Sequence, residues 1–353
     1  MATIRRTLIV IFVCVVCGSC GTGTGADDEA PDDDTVAQDA GDPEDAGDPV
    51  EMNLNLPVKT MGGKQFWSDV AIYGGWRIQE NVITGHCRLL DKRDVRRAWG
   101  SLAQCRQALE DAKERGEAVL SSRKLCVLLH GFLRSKDSFK GLVDGLREAG
   151  YEVYAVNYAS TRFDIDTFAA QVESLLAGFA SDFDEIHVVT HSMGGLVARR
   201  ALSGERCPER MGRLVMVAPP NQGAVMADLL LDWWPSEHVT GPAGKQLATG
   251  VESFAKSAGT PACEFGVLAG ARGDGEGWNP LIPGDDDGVV ELANTGLEGM
   301  ADFVVVPALH TVIMNTPESV RQVVFFLEHG RFDHGDGAGG AAEAAPQATE
   351  KQE

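Results

Sequence analysis

The feature that most constrains the fold is an alternation of aliphatic runs and helical patterns between residues 124 and 330. Short runs rich in Val, Ile and Leu indicate buried strands, and the segments between them carry apolar residues at helical spacing. The predicted strands are 124–131, 152–158, 185–190, 213–220, 264–270 and 301–310, and the predicted helices are 138–151, 164–180, 193–204 and 317–330. This alternation predicts an α/β fold, with a mostly parallel central sheet covered by helices on both faces.

Residues 52–123 carry a weaker pattern, and we interpret them as an N-terminal extension of a single domain that spans 52–332. The stretches DVAIYGGWRIQ (69–79) and ITGHCRLL (83–90) predict one or two antiparallel strands joined to the edge of the sheet. The stretch DVRRAWGSLAQCRQALEDAKERG (94–116) predicts one or two helices.

Residues 1–20 have the pattern of an export signal. Arg5 and Arg6 precede the apolar stretch TLIVIFVCVVC (7–17), which is shorter than the roughly 20 residues of a membrane-spanning helix. The small residues before Cys20 resemble the lipobox of bacterial lipoproteins. This resemblance implies cleavage before Cys20, lipidation of its thiol, and anchoring to a membrane of the cell envelope. A plain secretory signal and an uncleaved anchor are the alternatives.

The net charge of −21 is concentrated near the N-terminus. Residues 26–51 contain twelve acidic residues and neither Lys nor Arg. We expect residues 21–51 to be a disordered acidic tether, because they have too few large apolar residues to fold. Residues 333–353 are predicted to be a second disordered tail. An acidic chain without a basic stripe is a poor candidate for nucleic-acid binding, so we exclude that class of protein.

A lone serine stands where a predicted strand turns into a predicted helix, in THSMGGLVARR (190–200). A sharp turn from strand to helix requires small neighbours, and Gly194 meets this need two residues after Ser192. The N-terminus of the helix would favour negative charge that develops beside the hydroxyl. The pattern therefore favours Ser192 as a nucleophile. The alternative is a serine that only caps the helix.

The stretch THSMGGLVARR resembles the nucleophile elbow of the α/β-hydrolase superfamily, in particular that of bacterial lipases and esterases. Thr190 departs from the usual G-x-S-x-G pattern and adds a branched side chain at a crowded position. The resemblance implies the α/β-hydrolase fold and a Ser-His-Asp triad in which the nucleophile, the acid and the histidine follow in that order along the chain.

Chain order and position select the other two triad residues. Of the eight histidines, His86, His130, His187 and His191 precede Ser192, His238 precedes the best acid, and His329 and His334 lie at the end of the last helix and in the tail. His310 remains, at the end of a strand. The loop PGDDDGVV (283–290), followed some twenty residues later by His310, resembles the bacterial lipase pattern and points to Asp287. Asp285 and Asp286, a solvated turn, or a calcium loop are the alternatives for this cluster, and we expect no metal site.

The stretch VLLHGFLRS (127–135) ends a predicted strand in His-Gly-Phe. It resembles the oxyanion loop of the same superfamily. The resemblance implies that the backbone N–H groups of Phe132 and Met193 form the oxyanion hole.

Together these residues predict a serine hydrolase that cleaves carboxylic esters, as an esterase or lipase, through an acyl-enzyme. The segment 218–244 groups large apolar residues, among them Leu230, Trp233 and Trp234. These three would bind the substrate if the segment is a lid or an acyl-binding wall. The alternative is a helix that packs on the core.

Two other functions stay open: a non-catalytic surface lipoprotein that binds a ligand, and an acyltransferase or amidase with the same triad. We expect no cofactor, because the only glycine-rich candidate, GTGTG (21–25), follows no predicted strand. The expected partners are therefore a small ester or lipid substrate and a membrane.

Overall fold

The computed structural model describes residues 64–233, 237–250 and 253–335. The strands are β1 (Trp67–Tyr73), β2 (Trp76–Asn81), β3 (Cys87–Leu90), β4 (Arg96–Gly100), β5 (Lys124–Leu129), β6 (Glu152–Val156), β7 (Glu185–His191), β8 (Met211–Val217), β9 (Glu264–Ala271) and β10 (Asp302–Pro307). The α-helices are α1 (Leu102–Glu114), α2 (Lys140–Glu148), α3 (Ile165–Phe179), α4 (Met193–Ala201), α5 (Val225–Trp233), α6 (Glu237–Gln246), α7 (Phe254–Ser257) and α8 (Pro317–His329).

Six strands form the central sheet, in the order β10-β9-β8-β7-β5-β6. Every neighbouring pair in this sheet is parallel. The parallel sheet and its strands confirm the predicted fold class, with strand ends that differ from prediction by a few residues. Because all six strands point the same way, the loops that follow β5, β7, β8, β9 and β10 meet at one edge of the sheet.

Helices cover both faces of this sheet. Alternate side chains of β5 enter two different clusters of buried residues, since successive side chains of a strand point to opposite faces. Leu125, Val127 and Leu129 pack with residues of α3 and α4, such as Phe168, Leu176 and Val197. Cys126 and Leu128 pack with residues of α2 and α8, such as Leu142, Leu146 and Phe326. The two faces are thus buried by different pairs of helices.

The N-terminal extension differs from the prediction in two respects. It forms a separate antiparallel sheet in the order β1-β2-β3-β4, rather than one or two strands added to the edge of the central sheet. The predicted helix over 94–116 is also wrong at its start, because Arg96–Gly100 is strand β4 and pairs with β3. The helix begins only at Leu102, where Ser101 and Gln104 form a reciprocal capping box.

Helix α1 covers one face of this second sheet. Cys105, Leu109 and Ala112 of the helix pack with Ile78 and Leu89 of the strands in a third cluster of buried residues. The extension therefore has an apolar core of its own. In the ranges that the structure describes, no helix has both the length and the apolar character that crossing a bilayer requires.

Several predictions concern residues outside the described ranges. The signal at 1–20, the lipidation site Cys20 and the acidic tether at 21–51 lie there, as do residues 336–353 of the C-terminal tail. These stay predictions.

Candidate active site

Ser192 occupies the turn between β7, which ends at His191, and α4, which begins at Met193. Its backbone has φ of 55° and ψ of −127°, in the left-handed half of φ space, which costs an L-residue roughly 1–2 kcal/mol. The Ser192 N–H donates to the carbonyl of Val217 at 3.0 Å, and its own carbonyl accepts the N–H of Gly195 at 2.8 Å. The serine is therefore held in a strained conformation by the strand beside it and by the helix that follows it.

Two glycines after the serine make this turn possible. A Cβ atom on Gly194 would overlap the carbonyl oxygen of Leu129, and one on Gly195 would lie 2.9 Å from Cβ of Pro219. Thr190, which departs from the superfamily pattern, is fully buried, and its Oγ1 would lie 3.5 Å from a Cβ atom on Gly195, at ordinary contact distance. The branched side chain of Thr190 is therefore accommodated beside this turn without overlap.

The structure brings Asp287 and His310 into direct contact. Nδ1 of His310 donates to Oδ2 of Asp287 at 2.6 Å, since a carboxylate only accepts. The other carboxylate oxygen accepts the N–H groups of Val289 at 3.0 Å and Val290 at 2.8 Å. Both side chains are buried. The neutral imidazole therefore carries its proton on Nδ1, which leaves the lone pair of Nε2 available as a base.

The two neighbouring acids have other contacts. Asp285 accepts the N–H groups of Arg272 and Gly273, each at 2.8 Å. Asp286 is buried and accepts the N–H of Gly288 at 2.6 Å. Burial raises the pKa of the Asp286 carboxyl, against these hydrogen bonds. Of the three acids, only Asp287 contacts His310 through its side chain.

His191 joins the serine turn to the loop that carries His310. Its Nε2 donates to the backbone carbonyl of His310 at 2.9 Å, and the two rings lie 4.7 Å apart between centroids. Burial, and then the neighbouring His310 ring, hold the pKa of His191 well below its usual range. His191 thus stays neutral beside the site. The side-chain hydroxyl of Ser192 has no hydrogen-bond partner among the described residues.

The expected oxyanion donors belong to the loop after β5 and to the start of α4. Gly131 passes so close that a Cβ atom there would lie 2.9 Å from Cβ of Ser192, which places the following Phe132 beside the serine. Met193 is the first residue of α4, where N–H groups have no partner inside the helix. Within the part of the chain that the structure describes, no backbone or side-chain acceptor takes the N–H of Phe132 or Met193. Both N–H groups therefore lack an acceptor among these residues, and their role as oxyanion donors stays a prediction.

Two of the three expected substrate-binding residues lie on helix α5. Leu230 is half-buried on α5, and Trp233 is the last residue of that helix. Trp234 lies outside the described residues. The substrate role of these three residues stays a prediction.

Sequence reasoning missed two residues that shape this site. Chain order excludes His191 as the base because it precedes the nucleophile, although its position next to Ser192 is a usable signal for a residue of the site. Leu133, in the loop of Phe132, has a left-handed φ of 58°, and nothing in its sequence context indicates this. In the described ranges, no group of His, Cys, Asp and Glu has the arrangement of a metal site.

Comparison with known proteins identifies the class that this fold and site define. The model of the alpha/beta hydrolase family matches residues 126–320, which is more than half of the chain. The chain therefore belongs to the alpha/beta hydrolase family. The matched region contains Phe132, Ser192, Asp287 and His310.

Solved structures show similarity at low sequence identity. The mature form of a Bacillus licheniformis lipase is 20% identical with a TM-score of 0.47, over 57% of this chain and 90% of that chain. A phospholipase from Legionella pneumophila is 16% identical with a TM-score of 0.47, over 59% of this chain and 60% of that chain. An esterase from Pyrococcus furiosus is 16% identical with a TM-score of 0.42, over 77% of this chain and 98% of that chain. No curated protein matches the sequence.

Proposed function

We propose that the protein is a serine hydrolase that cleaves carboxylic esters, with Ser192 as nucleophile, His310 as base and Asp287 as the acid that orients it. The observation that carries this proposal is the 2.6 Å hydrogen bond between Asp287 and His310, on the loops beside the strained Ser192 turn. A serine in a strained strand-to-helix turn, next to a histidine whose Nδ1 is bound by a carboxylate, is the arrangement that acyl transfer needs.

The reaction begins when Nε2 of His310 accepts the proton of the Ser192 hydroxyl and Oγ attacks the ester carbonyl. The N–H groups of Phe132 and Met193 donate to the oxyanion that forms. Asp287 stabilises the imidazolium and keeps its ring oriented. The alcohol then leaves with the proton from His310. A water molecule then attacks the acyl-enzyme and gives a proton to His310. His310 passes this proton to Oγ of Ser192 as the bond to the acyl group breaks, so the acid is released and Ser192 and neutral His310 are regenerated.

Exposed apolar side chains next to His310 favour an ester with an apolar acyl group. Leu309 is 43% exposed and Val312 is 51% exposed, although both are large aliphatic residues. Trp278, which is 43% exposed, lies on the loop that Asp286 holds. An apolar chain that covers these residues would remove their surface from water, at about 25 cal/mol per Å².

A chain-length series of p-nitrophenyl esters, from acetate to palmitate, tests this function. We expect hydrolysis that rises with acyl length, and a loss of at least about a thousandfold in kcat in the Ser192→Ala variant. Labelling with a fluorophosphonate probe at Ser192 gives a second readout. The absence of both activity and labelling would contradict the proposal and favour a ligand-binding module.

Acyl transfer has to be distinguished from hydrolysis, because an acyl-enzyme formed by the same triad can react with water, an alcohol or an amine. Product analysis with an added alcohol or amine distinguishes the two reactions. Free acid as the main product, with the acceptor present, is the result we expect.

We also propose that the mature protein begins at a lipidated Cys20, exported and tethered to a membrane of the cell envelope by the acidic segment 21–51. The small residues before Cys20 and the short apolar stretch at 7–17 support this. Cell fractionation tests it: wild type should be found with membranes, and Cys20→Ser should lose this association. An unchanged distribution would overturn the lipid anchor.

A further inference from the structure

One glutamine of the N-terminal extension links the loop that carries Phe132 to the loop after β6. Gln65 precedes β1, and its Nε2 donates to the carbonyl of Arg134, in the loop after β5, at 3.0 Å. Its Oε1 accepts the hydroxyl groups of Ser160 at 3.2 Å and Thr161 at 3.4 Å, in the loop after β6. A single half-buried side chain outside the region matched by the family model thus bridges both loops.

The loop that Gln65 contacts contains a strained turn. The N–H of Arg134 donates to the carbonyl of Gly131 at 3.3 Å, which closes a turn with Phe132 and Leu133 at its centre. Leu133 has φ of 58°, at the third position of a turn where glycine is favoured. A leucine in this conformation persists only where its surroundings hold it. The N–H of Phe132 belongs to this turn, so the contacts that hold the turn also determine the direction of this N–H.

A second set of contacts fixes the extension itself to the catalytic domain. The backbone N–H of Asn157, just after β6, donates to Oδ2 of the buried Asp69 at 2.7 Å, and the N–H of Asp69 donates to the carbonyl of Asn157 at 2.8 Å. The next residue, Tyr158, stacks on the ring of His130 at 4.0 Å between centroids, and its hydroxyl donates to the carbonyl of His130. The extension is therefore hydrogen-bonded to Asn157, and the next residue, Tyr158, contacts His130 at the start of the oxyanion loop.

We propose that Gln65, just before the N-terminal antiparallel sheet, is the positioning residue that fixes the direction of the Phe132 N–H. This inference rests on the proposed function, because it assigns Gln65 an effect on the same reaction. Gln65 touches neither the nucleophile nor the base. It acts through the carbonyl of Arg134, which holds the turn against the unfavourable backbone of Leu133.

The test compares Gln65→Glu with Gln171→Glu. Gln65→Glu replaces the donor to Arg134 by a carboxylate oxygen, which repels that carbonyl, but it still accepts from Ser160 and Thr161. Gln171 is the matched control: it is a half-buried glutamine whose Nε2 donates at 2.8 Å to the carbonyl of Asp69 in the same sheet. The readouts are kcat and KM on a p-nitrophenyl ester, and hydrogen–deuterium exchange of the 131–135 amides.

Gln65→Glu should lower kcat by about tenfold, the effect of one misplaced hydrogen bond, with KM nearly unchanged. The amides of 131–135 should exchange faster in Gln65→Glu and at the wild-type rate in Gln171→Glu. A Gln65→Glu protein with wild-type kcat and exchange overturns the inference, as does an equal kcat loss in both variants. If wild type cleaves no ester, the proposed function fails instead, and the exchange comparison still decides whether Gln65 holds the loop.

Discussion

Asp287 holds His310 through both its side chain and its backbone. Oδ2 of Asp287 accepts from Nδ1 of His310 at 2.6 Å, and the Asp287 carbonyl accepts the backbone N–H of His310 at 2.8 Å. The backbone contact fixes where His310 lies, and the side-chain contact fixes how its ring is turned and which nitrogen carries the proton. A substitution of the carboxylate therefore separates these two effects.

In the Asp287→Asn variant, His310 should keep its position, but its neutral ring should no longer carry the proton on Nδ1. An amide that donates to Nδ1 stabilises the form of the ring with its proton on Nε2, which cannot accept the proton of Ser192. We expect kcat for ester hydrolysis to fall by roughly 10⁴-fold, as in other triads, without a large change in thermal stability. Asp285→Asn is the matched control and should stay near wild type. Equal losses in the two variants would contradict the role of Asp287.

Substitution by alanine should lower the stability of the protein at Gly194 and raise it at Gly178. A Cβ atom on Gly194 would overlap the carbonyl oxygen of Leu129, whereas one on Gly178, exposed within α3, meets nothing within 4 Å. Gly194→Ala should reduce stability by more than about 2 kcal/mol, since backbone cannot move aside easily. Gly178→Ala should raise stability by about 1 kcal/mol through its helix propensity. Denaturant unfolding measures both, and a tolerated Gly194→Ala would contradict the packing of the turn.

Sequence patterns predicted the parts of this fold that depend on local periodicity. The six strands of the central sheet, the helices α2, α3, α4 and α8, and the turn at Ser192 follow from aliphatic runs, helical spacing and glycines near the serine. The contact of Asp287 with His310 agrees with the expected order of a triad along the chain. Each of these features can be recognised from a few residues that follow a short pattern in the sequence.

The N-terminal extension was less predictable, because its structure depends on contacts between distant residues. The segment DVRRAWG mixes charged and apolar residues in a way that suits a helix or an edge strand, and pairing with β3 decides between them. The buried contacts of Asp69 with Arg77, Gln79 and Asn157 have no local pattern. The bridge made by Gln65 joins residues about seventy and ninety-five positions away, which one sequence does not reveal.

Arg199 should contribute strongly to stability, although it lies in the helix that follows the nucleophile. Its buried guanidinium donates to the carbonyls of Gly259 at 2.9 Å, Asn221 at 2.9 Å and Ala255 at 2.7 Å. Burial lowers the pKa of Arg199 to about 10. Arg199→Ala leaves three carbonyl oxygens without a donor, and we expect a loss of about 3 kcal/mol or more in the free energy of unfolding.

The matched control is Arg321→Ala, which removes exposed ion pairs with Glu318 and Asp333. Such pairs contribute about 0–1 kcal/mol, so this variant should unfold close to wild type. The midpoints of chemical unfolding of Arg199→Ala and Arg321→Ala, each compared with that of wild type, measure the difference. A small effect of Arg199→Ala would mean that water replaces the guanidinium at these carbonyls.

His130 should make the protein less stable in mild acid. Its ring is fully buried against Tyr158, with Nδ1 donating to the carbonyl of Gly131 at 2.9 Å. Burial lowers the pKa of His130 to about 4 from the ordinary 6.5. Between these two values the unfolded chain binds a proton that the folded chain does not, so the free energy of unfolding falls as the pH falls. Below the folded pKa both states are protonated, and this contribution no longer changes.

The expected loss from His130 between pH 6.5 and pH 4 is about 3 kcal/mol, at up to 1.4 kcal/mol per pH unit. His191, whose pKa is also lowered by burial, adds to the slope in the same direction. Urea unfolding at several pH values measures this slope in wild type and in His130→Gln, which has no titrating group at this position. The variant should show a flatter dependence, even if it is less stable at neutral pH. Parallel curves for the two proteins would show that the buried His130 ring is not the source of the acid sensitivity.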